Sequence, residues 1–406
     1  MKKAKALQSI LVINAGSSSI KFAQYGATKV LESILHGKID RIGLSGTTLT
    51  IKSSPEHQDV NLDISASDNK SIAKFLIDWL EERIGIESIL AVGHRVVHGM
   101  KHTASKLVTE NLLEELSSIS IVDPEHMLLA IELIEAFRQR HPQLPQFTCF
   151  DTVFHRNMPR VAKLLALPRR FDSKGIQRYG FHGLSFSYLM DELVRLGDPA
   201  ASSGRIILAH LGNGASLAAV RDGQGIDTSM GFTPAAGLPM GTRSGDLDPG
   251  LFTYLLHTEQ MTATEFNRMI NQESGLLGVS EMSSDMRDLL AKESTDIRAA
   301  EAVALFCYQA KKWIGSFSAA LGGIDTLVFA GGIGENAPLV RSRICQNLGF
   351  LGIELDESLN EQASPVISSN GSRVKIRIIR TDEELMMARL LQDFDVLNTF
   401  VPKETL

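Results

Sequence analysis

At 406 residues the chain is longer than one ordinary hydrophobic core supports, so two domains are expected. Hydrophobic residues make up 44% and charged residues 22%, which excludes a disordered or fibrous chain. A net charge of −6 argues against a nucleic-acid partner, so cationic groups that meet an acidic ligand must be gathered locally.

Cys149, Cys307 and Cys345 are widely spaced and odd in number. No disulfide framework or zinc spacing is visible, and reduced core cysteines are expected. The apolar run after Lys2, Lys3 and Lys5 is too short for a signal peptide, and no segment has the length of a membrane span. A cytoplasmic protein without a membrane partner is the expectation.

In chain order, residues 10–23 read as an apolar run, a small-residue turn and a half-apolar run, which predicts a β-hairpin. Asn14, Ser17, Ser18, Ser19 and Lys21 stand on it. Hydroxyls, turn N–H groups and a lysine suit phosphate oxygens, although a serine-rich hairpin with no ligand reads the same way. Helical spacing predicts helices at 71–84, 110–120, 126–140, 262–272 and 296–320. After the apolar residues 89–92, Gly93-His-Arg-Val-Val-His-Gly99 sets Arg95 among valines and glycines. A charge there needs an anionic partner, and a carboxylate or phosphate substrate would serve. His94 and His98 read as hydrogen-bonded core residues rather than metal ligands.

The strand 147–150 is predicted to carry Asp151 at its C-terminal end, where α/β sites collect. Arg178-Tyr-Gly-Phe-His-Gly183 places His182 in a glycine-flanked turn, and residues 197–204 read as a loop. Residues 206–220 repeat the hairpin plan around His210-Leu-Gly-Asn-Gly214. The run 227–234 is a small-residue wall that lets a ligand approach the backbone. Gly241-Thr-Arg-Ser-Gly-Asp246 puts Arg243 on a glycine-rich turn, a forked donor for an anion. Asp285, Met286 and Arg287 read as a helix start, in plainest form an N-cap with a surface ion pair. Residues 326–336 read as a buried strand running into a glycine turn, with a helix beginning near Arg341. Thr381-Asp-Glu-Glu384 follows the strand 374–379; its carboxylates suit a helix N-terminus or a hard cation such as Mg2+, with Glu383 preferred to Glu384.

These motifs, in this order over residues 10–390, resemble the acetokinase family, within the superfamily of acetate and sugar kinases, heat-shock ATPases and actin. The resemblance implies an α/β fold of two ribonuclease-H-like, actin-like ATPase domains with a nucleotide-binding cleft between them. The domains are placed at 1–150 plus 385–406 and at 151–384. It implies reversible, ATP-dependent phosphorylation of acetate to acetyl phosphate by direct in-line transfer, in a homodimer. Propionate or another short carboxylate is the alternative substrate, and a nucleotide-sensing module without catalysis the alternative class.

By the same resemblance Asn14 and Glu383 hold Mg2+ (Mn2+ as a substitute), and Lys21 with His210, Leu211, Gly212, Asn213 and Gly214 meets the ATP phosphates. Asp285, Met286, Arg287, Gly331, Gly332, Ile333, Gly334 and Glu335 hold the adenosine of ATP or ADP. Arg95 binds the carboxylate or acyl phosphate, Asp151 is the catalytic acid, and His182 and Arg243 stabilise the transition state. Val97, Ile121, Phe181 and Pro234 wall a short acyl pocket. A carboxylate nucleophile is already ionised at neutral pH, which favours Asp151 as an organiser of Arg243 or Mg2+ over a proton shuttle. The chain departs from the family at Ile121-Val-Asp-Pro124, where Leu-His-Asn-Pro is usual. It departs again at Gly183-Leu-Ser-Phe186, where Gly-Thr-Ser-His is usual, and at Leu238-Pro239. Acyl preference turns on the first of these.

Overall fold

A computed structural model of the chain describes residues 8–394 apart from 17–18, 43–45, 54–59 and 65–67. Ser17 and Ser18 of the first turn, and the end of the predicted 385–406 segment, lie outside the described residues. Contacts divide the chain into two compact units, Met1–Val153 with Asp382–Leu406, and Phe154–Thr381.

The first unit carries, among the described residues, strands β1 (Ser9–Ala15), β2 (Ser19–Gly26), β3 (Ser33–Asp40), β4 (Thr48–Ser53), β5 (Val60–Asp63), β6 (Ile89–Val96), β7 (Lys106–Leu107) and β8 (Gln146–Phe150). They form one sheet in the order β5-β4-β3-β2-β1-β6-β8-β7. The predicted hairpin is β1–β2, antiparallel with Asn14 opposite Lys21. β6 runs parallel to both β1 and β8. Every residue of β1 is buried, as a strand covered on both faces requires. Leu11, Ile13 and Ala15 join a core with Trp79, Leu133 and Phe137 from the helices Asn69–Arg83 and Pro124–Arg140. Val12 points the other way, and there Leu391 of the helix Glu383–Gln392 packs onto Gly93. A Cβ on Gly93 would sit 2.9 Å from Leu391 Cδ1, so the glycine admits this helix to the sheet.

The second unit repeats the plan. β9 (Arg205–Leu211), β10 (Ala215–Arg221), β11 (Gln224–Thr228), β12 (Thr326–Ala330) and β13 (Lys375–Ile378) lie in the order β11-β10-β9-β12-β13. Three antiparallel strands are followed by two that run parallel to β9, as β3-β2-β1 are followed by β6 and β8. Phe186, Leu189 and Leu193 of the helix Gly183–Arg195 pack on Ile206, Leu208, Val220 and Val328. The helix Ile297–Leu321 starts at Asp296, whose side chain accepts from Arg298 N, and stops at Gly322 in the left-handed region.

The predicted helices 71–84, 110–120, 126–140 and 296–320 fall on Asn69–Arg83, Glu110–Ile119, Pro124–Arg140 and Ile297–Leu321. The expected helix 262–272 is α-helical only over Ala263–Arg268 and widens into a π turn at Met269–Glu273. The expected loop 197–204 contains a short helix, Ala200–Ser203, which opens with Asp198 Oδ1 accepting from Ala200 N. The three cysteines are free and buried.

Candidate functional site

In the first unit the parallel strands β1, β6 and β8 end on one edge of the sheet, the edge where α/β proteins place ligands. Asn14, Arg95 and Asp151 are brought there from three separate stretches of sequence. Arg95 Nη2 donates to Asp151 Oδ2 at 2.5 Å and Nε to the same oxygen at 3.0 Å. Arg95 Nη1 donates to Asn14 Oδ1 at 3.2 Å. The Asp151 side chain is fully buried and that of Arg95 only 12% exposed. Burial works against the guanidinium charge, but Asp151, Glu383 and Glu384 together hold its pKa above the ordinary value. Within its own unit Arg95 therefore has an anionic partner in Asp151, and the group that the Asp151 carboxylate meets there is this guanidinium.

The helix Glu383–Gln392 opens at Asp382, whose carboxylate accepts from Leu385 N at 2.8 Å. Its first turn turns two carboxylates toward Asn14. Asn14 Nδ2 donates to Glu383 Oε2 at 2.8 Å and to Glu384 Oε1 at 2.7 Å, so the geometry gives Glu383 no priority over Glu384. Burial raises the Glu384 pKa against the pull of Lys21, with the Glu383 charge adding to the rise. The two carboxylates supply oxygen donors that suit a hard divalent cation, while Asn14 presents its NH2 to them and its oxygen to Arg95. Among the described residues no cluster of three His, Cys, Asp or Glu could hold a metal. An ion here would complete its shell with water or phosphate, as Mg2+ commonly does.

Val97 is buried, but Ile121 is 85% exposed on the 3-10 turn Ser120–Val122. An apolar wall contributed by Ile121 within this unit is therefore not formed, because the turn leaves its side chain in solvent. The unusual Asp123 is buried and meets His126 Nδ1 at 2.9 Å, one helical turn on. That pairing accommodates a charge at the start of the helix Pro124–Arg140.

In the second unit, β9 and β12 end side by side, Ala330 opposite His210. The turn at Gly212–Gly214 is closed by Gly212 N donating to Gly214 O at 3.0 Å. The residues predicted as a glycine turn, Gly331–Asn336, form a short helix. Gly331 has φ +76, and a Cβ there would lie 2.7 Å from Leu211 O, so the two glycine stretches touch through backbone. Glu335 Oε1 accepts from Gly331 N at 3.0 Å and from Thr381 N at 3.3 Å.

His182 caps the helix Gly183–Arg195 from the left-handed region, φ 57 and ψ 25, which is uncommon outside glycine. Its ring lies 4.4 Å from that of His210, and its Nδ1 is 2.8 Å from Ser216 Oγ. A Cβ built on Gly214 would sit 3.2 Å from His182 Nε2 and 3.8 Å from Arg243 Nη1, so the imidazole and the guanidinium flank the same turn. Arg243 Nη1 also donates to Pro234 O at 3.3 Å. Pro234 and Phe181 are both buried, and the Phe181 carbonyl meets His155 Nε2 at 3.0 Å. Phe186, in place of the usual histidine, is wholly buried with its ring edge-on to His182.

Sequence reasoning missed two supports of this site. Gly275, φ +61, lies against the backbone of Met240 and Arg243, where a Cβ would come within 2.1 Å of Met240 O. Arg341 is fully buried inside the helix Pro338–Cys345, which therefore begins before the position expected for it. Its Nη1 donates to Gly334 O at 2.9 Å and Glu335 O at 3.0 Å, while Nε and Nη2 donate to Asn360. Burial lowers its pKa to about 10, opposed by Cys345 and Glu357, and it remains a cation at neutral pH. An arginine beside a glycine motif is the available signal. By contrast, Asp285 and Arg287 match the plain reading: Asp285 caps the helix Met286–Lys292, and Arg287, 89% exposed, folds back onto it at 2.5 Å.

Two α/β units with one strand order, glycine turns at the strand ends and basic side chains beside them define an ATP-binding phosphotransferase of the actin-like ATPase class. The family is specific: the profile of the acetokinase family matches residues 9–389, and the chain belongs to that family. An acetate kinase of Rhodopseudomonas palustris (strain ATCC BAA-98 / CGA009) is 43% identical over 387 residues, covering 94% of this chain and 96% of the relative. A propionate kinase of Escherichia fergusonii is 40% identical over 405 residues, 98% of each chain. Among solved structures, a propionate kinase from Francisella tularensis superposes with a TM-score of 0.87 at 36% identity, covering 95% of this chain and 99% of that one. The acetate kinase of Porphyromonas gingivalis gives 0.83 at 35%, covering 97% and 100%. Among the described residues no helix is long and apolar enough to cross a membrane.

Proposed function

We propose that the protein transfers the γ-phosphoryl group of ATP reversibly to the carboxylate of acetate, giving acetyl phosphate and ADP. The observation that carries this reading is the meeting of His182 and Arg243 on the Gly214 turn, in a chain that matches acetokinases from end to end of its fold. A carboxylate oxygen attacks the γ-phosphorus while the bond to the ADP oxygen breaks and its electron pair leaves with ADP. The acid is ionised at neutral pH, so no proton has to be removed. What the reaction needs is neutralisation of anions brought together, and arginines, a histidine and backbone donors supply it.

In this reading Arg95 binds the acetate carboxylate or the acyl phosphate, held in place by Asp151. Lys21 and the His210–Gly214 turn bind ATP phosphates, and His182 and Arg243 stabilise charge on the transferring phosphoryl. Asp285–Arg287 and Gly331–Glu335 receive adenosine. Asn14 and Glu383, with Glu384 beside it, would hold Mg2+ or Mn2+, which when bound would neutralise phosphate charge. The chain is read as a homodimer, as its family implies.

Propionate is the second reading, favoured by the propionate kinases among the similar chains. One methylene is worth about 1–3 kcal/mol of discrimination, so both acids are expected to react. Trapping acyl phosphate as the hydroxamate from ATP, Mg2+ and acetate, propionate or butyrate ranks them. Acetyl hydroxamate in highest yield supports the proposal; no hydroxamate from any short acid sinks it.

A further inference from the structure

We propose that Ser216 is a positioning residue that keeps the proton of neutral His182 on Nε2 and directs it to the phosphoryl group. The inference rests on the phosphoryl-stabilising role given to His182 above and specifies the chemical form in which it acts.

Ser216 stands on β10 directly opposite His210, next to the Gly212–Gly214 turn, and is 0% exposed. Among the described residues its Oγ has one hydrogen-bond partner, His182 Nδ1 at 2.8 Å. A hydroxyl taken fully out of water must place its hydrogen on an acceptor, since a buried donor left unmet is costly. The acceptor in reach is the Nδ1 lone pair. Were Nδ1 protonated, the serine hydrogen would have no acceptor, so the buried hydroxyl selects the tautomer with hydrogen on Nε2.

Nε2 is the ring atom beside Gly214, 3.2 Å from where a Cβ would stand. Its hydrogen therefore faces the turn assigned to the ATP phosphates. The tilted His210 ring 4.4 Å away and the edge of Phe186 limit rotation of the imidazole. The residue itself is held at φ 57, a strained backbone state for a non-glycine residue that persists only where its surroundings fix it. Ser216 thus lets a neutral imidazole donate to an anion, and the rate does not wait on formation of imidazolium.

The test uses full-length enzyme with nitrogen-15 histidine, the His182 signals being assigned by their loss in His182→Gln. Long-range proton–nitrogen NMR above pH 8 is expected to show His182 protonated on Nε2 and bare on Nδ1. Ser216→Ala should mix the tautomers and lower kcat by about 10–100-fold, the usual cost of losing a partner that orients a functional histidine, with KM for ATP and acetate within about twofold. Ser216→Thr, which retains the hydroxyl, should restore the Nε2 form and most of kcat. Wild type with the proton on Nδ1, or Ser216→Ala with unchanged tautomer and kcat, would overturn the proposal. Full activity in His182→Gln would instead remove the role of His182 on which it rests. The tautomer, read without turnover, separates the two failures, and the wild-type spectrum decides even should Ser216→Ala fail to fold.

Discussion

A charged side chain surrounded by valines and glycines announces that it needs a partner, and Arg95 is legible in the sequence on that ground. The partner is not legible, because Asp151 reaches it only through the parallel pairing of β6 with β8, 56 residues apart in the chain. The same limit hides the convergence of Glu383 and Glu384 on Asn14, contacts that span most of the sequence. Asp151 is buried against Arg95, and in the proposed function its work is orientation. Asp151→Asn is expected to lower kcat by about 100-fold or more, since a loosened guanidinium no longer matches the anion. The shape of the kcat–pH profile should stay that of wild type. Turnover near normal would contradict the assignment, and a profile that loses an acid limb would return Asp151 to proton transfer.

Elements were legible in proportion to their periodicity. The long helices and the two hairpins carry clear apolar patterns, and the structure places them within a few residues of expectation. The helix Gly183–Arg195 was missed because it opens on a left-handed histidine and a glycine, which read as a turn. The Gly331–Asn336 helix was read as a turn for a related reason: three glycines give it no intrinsic helical preference. Its shape is imposed from outside, by Arg341 holding the carbonyls of Gly334 and Glu335. Arg341→Met would fill much of the same space and leave those carbonyls and Asn360 without donors. A loss of at least about 3 kcal/mol in urea unfolding is expected. KM for ATP should rise about tenfold or more, about 1.4 kcal/mol of binding, with a smaller change in KM for acetate. An unchanged KM for ATP would separate this helix from nucleotide binding.

At the scale of the molecule, the repeated hairpin was the feature that exposed two units, and β3-β2-β1-β6-β8 of the larger sheet do share one strand order with β11-β10-β9-β12-β13. Each unit also buries a neutral histidine. Burial lowers the pKa of His94 to about 4 despite its bond to Gln146, and that of His155 to about 4 despite the Phe181 carbonyl. A lowered folded-state pKa means the unfolded chain binds the extra proton first. Stability is therefore complete above about pH 6.5 and falls as pH drops toward 4, by up to about 3 kcal/mol per histidine. Urea unfolding across that range should show the loss, and His94→Gln should remove part of the slope; a flat profile would mean that these rings are protonated in the folded protein. The most direct test of the account concerns the bond that is made. Acetate labelled with oxygen-18 in both carboxylate positions is incubated with ATP, Mg2+ and enzyme, and the product is read by phosphorus NMR. The account predicts acetyl phosphate with one labelled oxygen on phosphorus, and none formed by Arg243→Ala. Acetyl phosphate whose phosphorus carries no label, or no acetyl phosphate from the wild type, would contradict it.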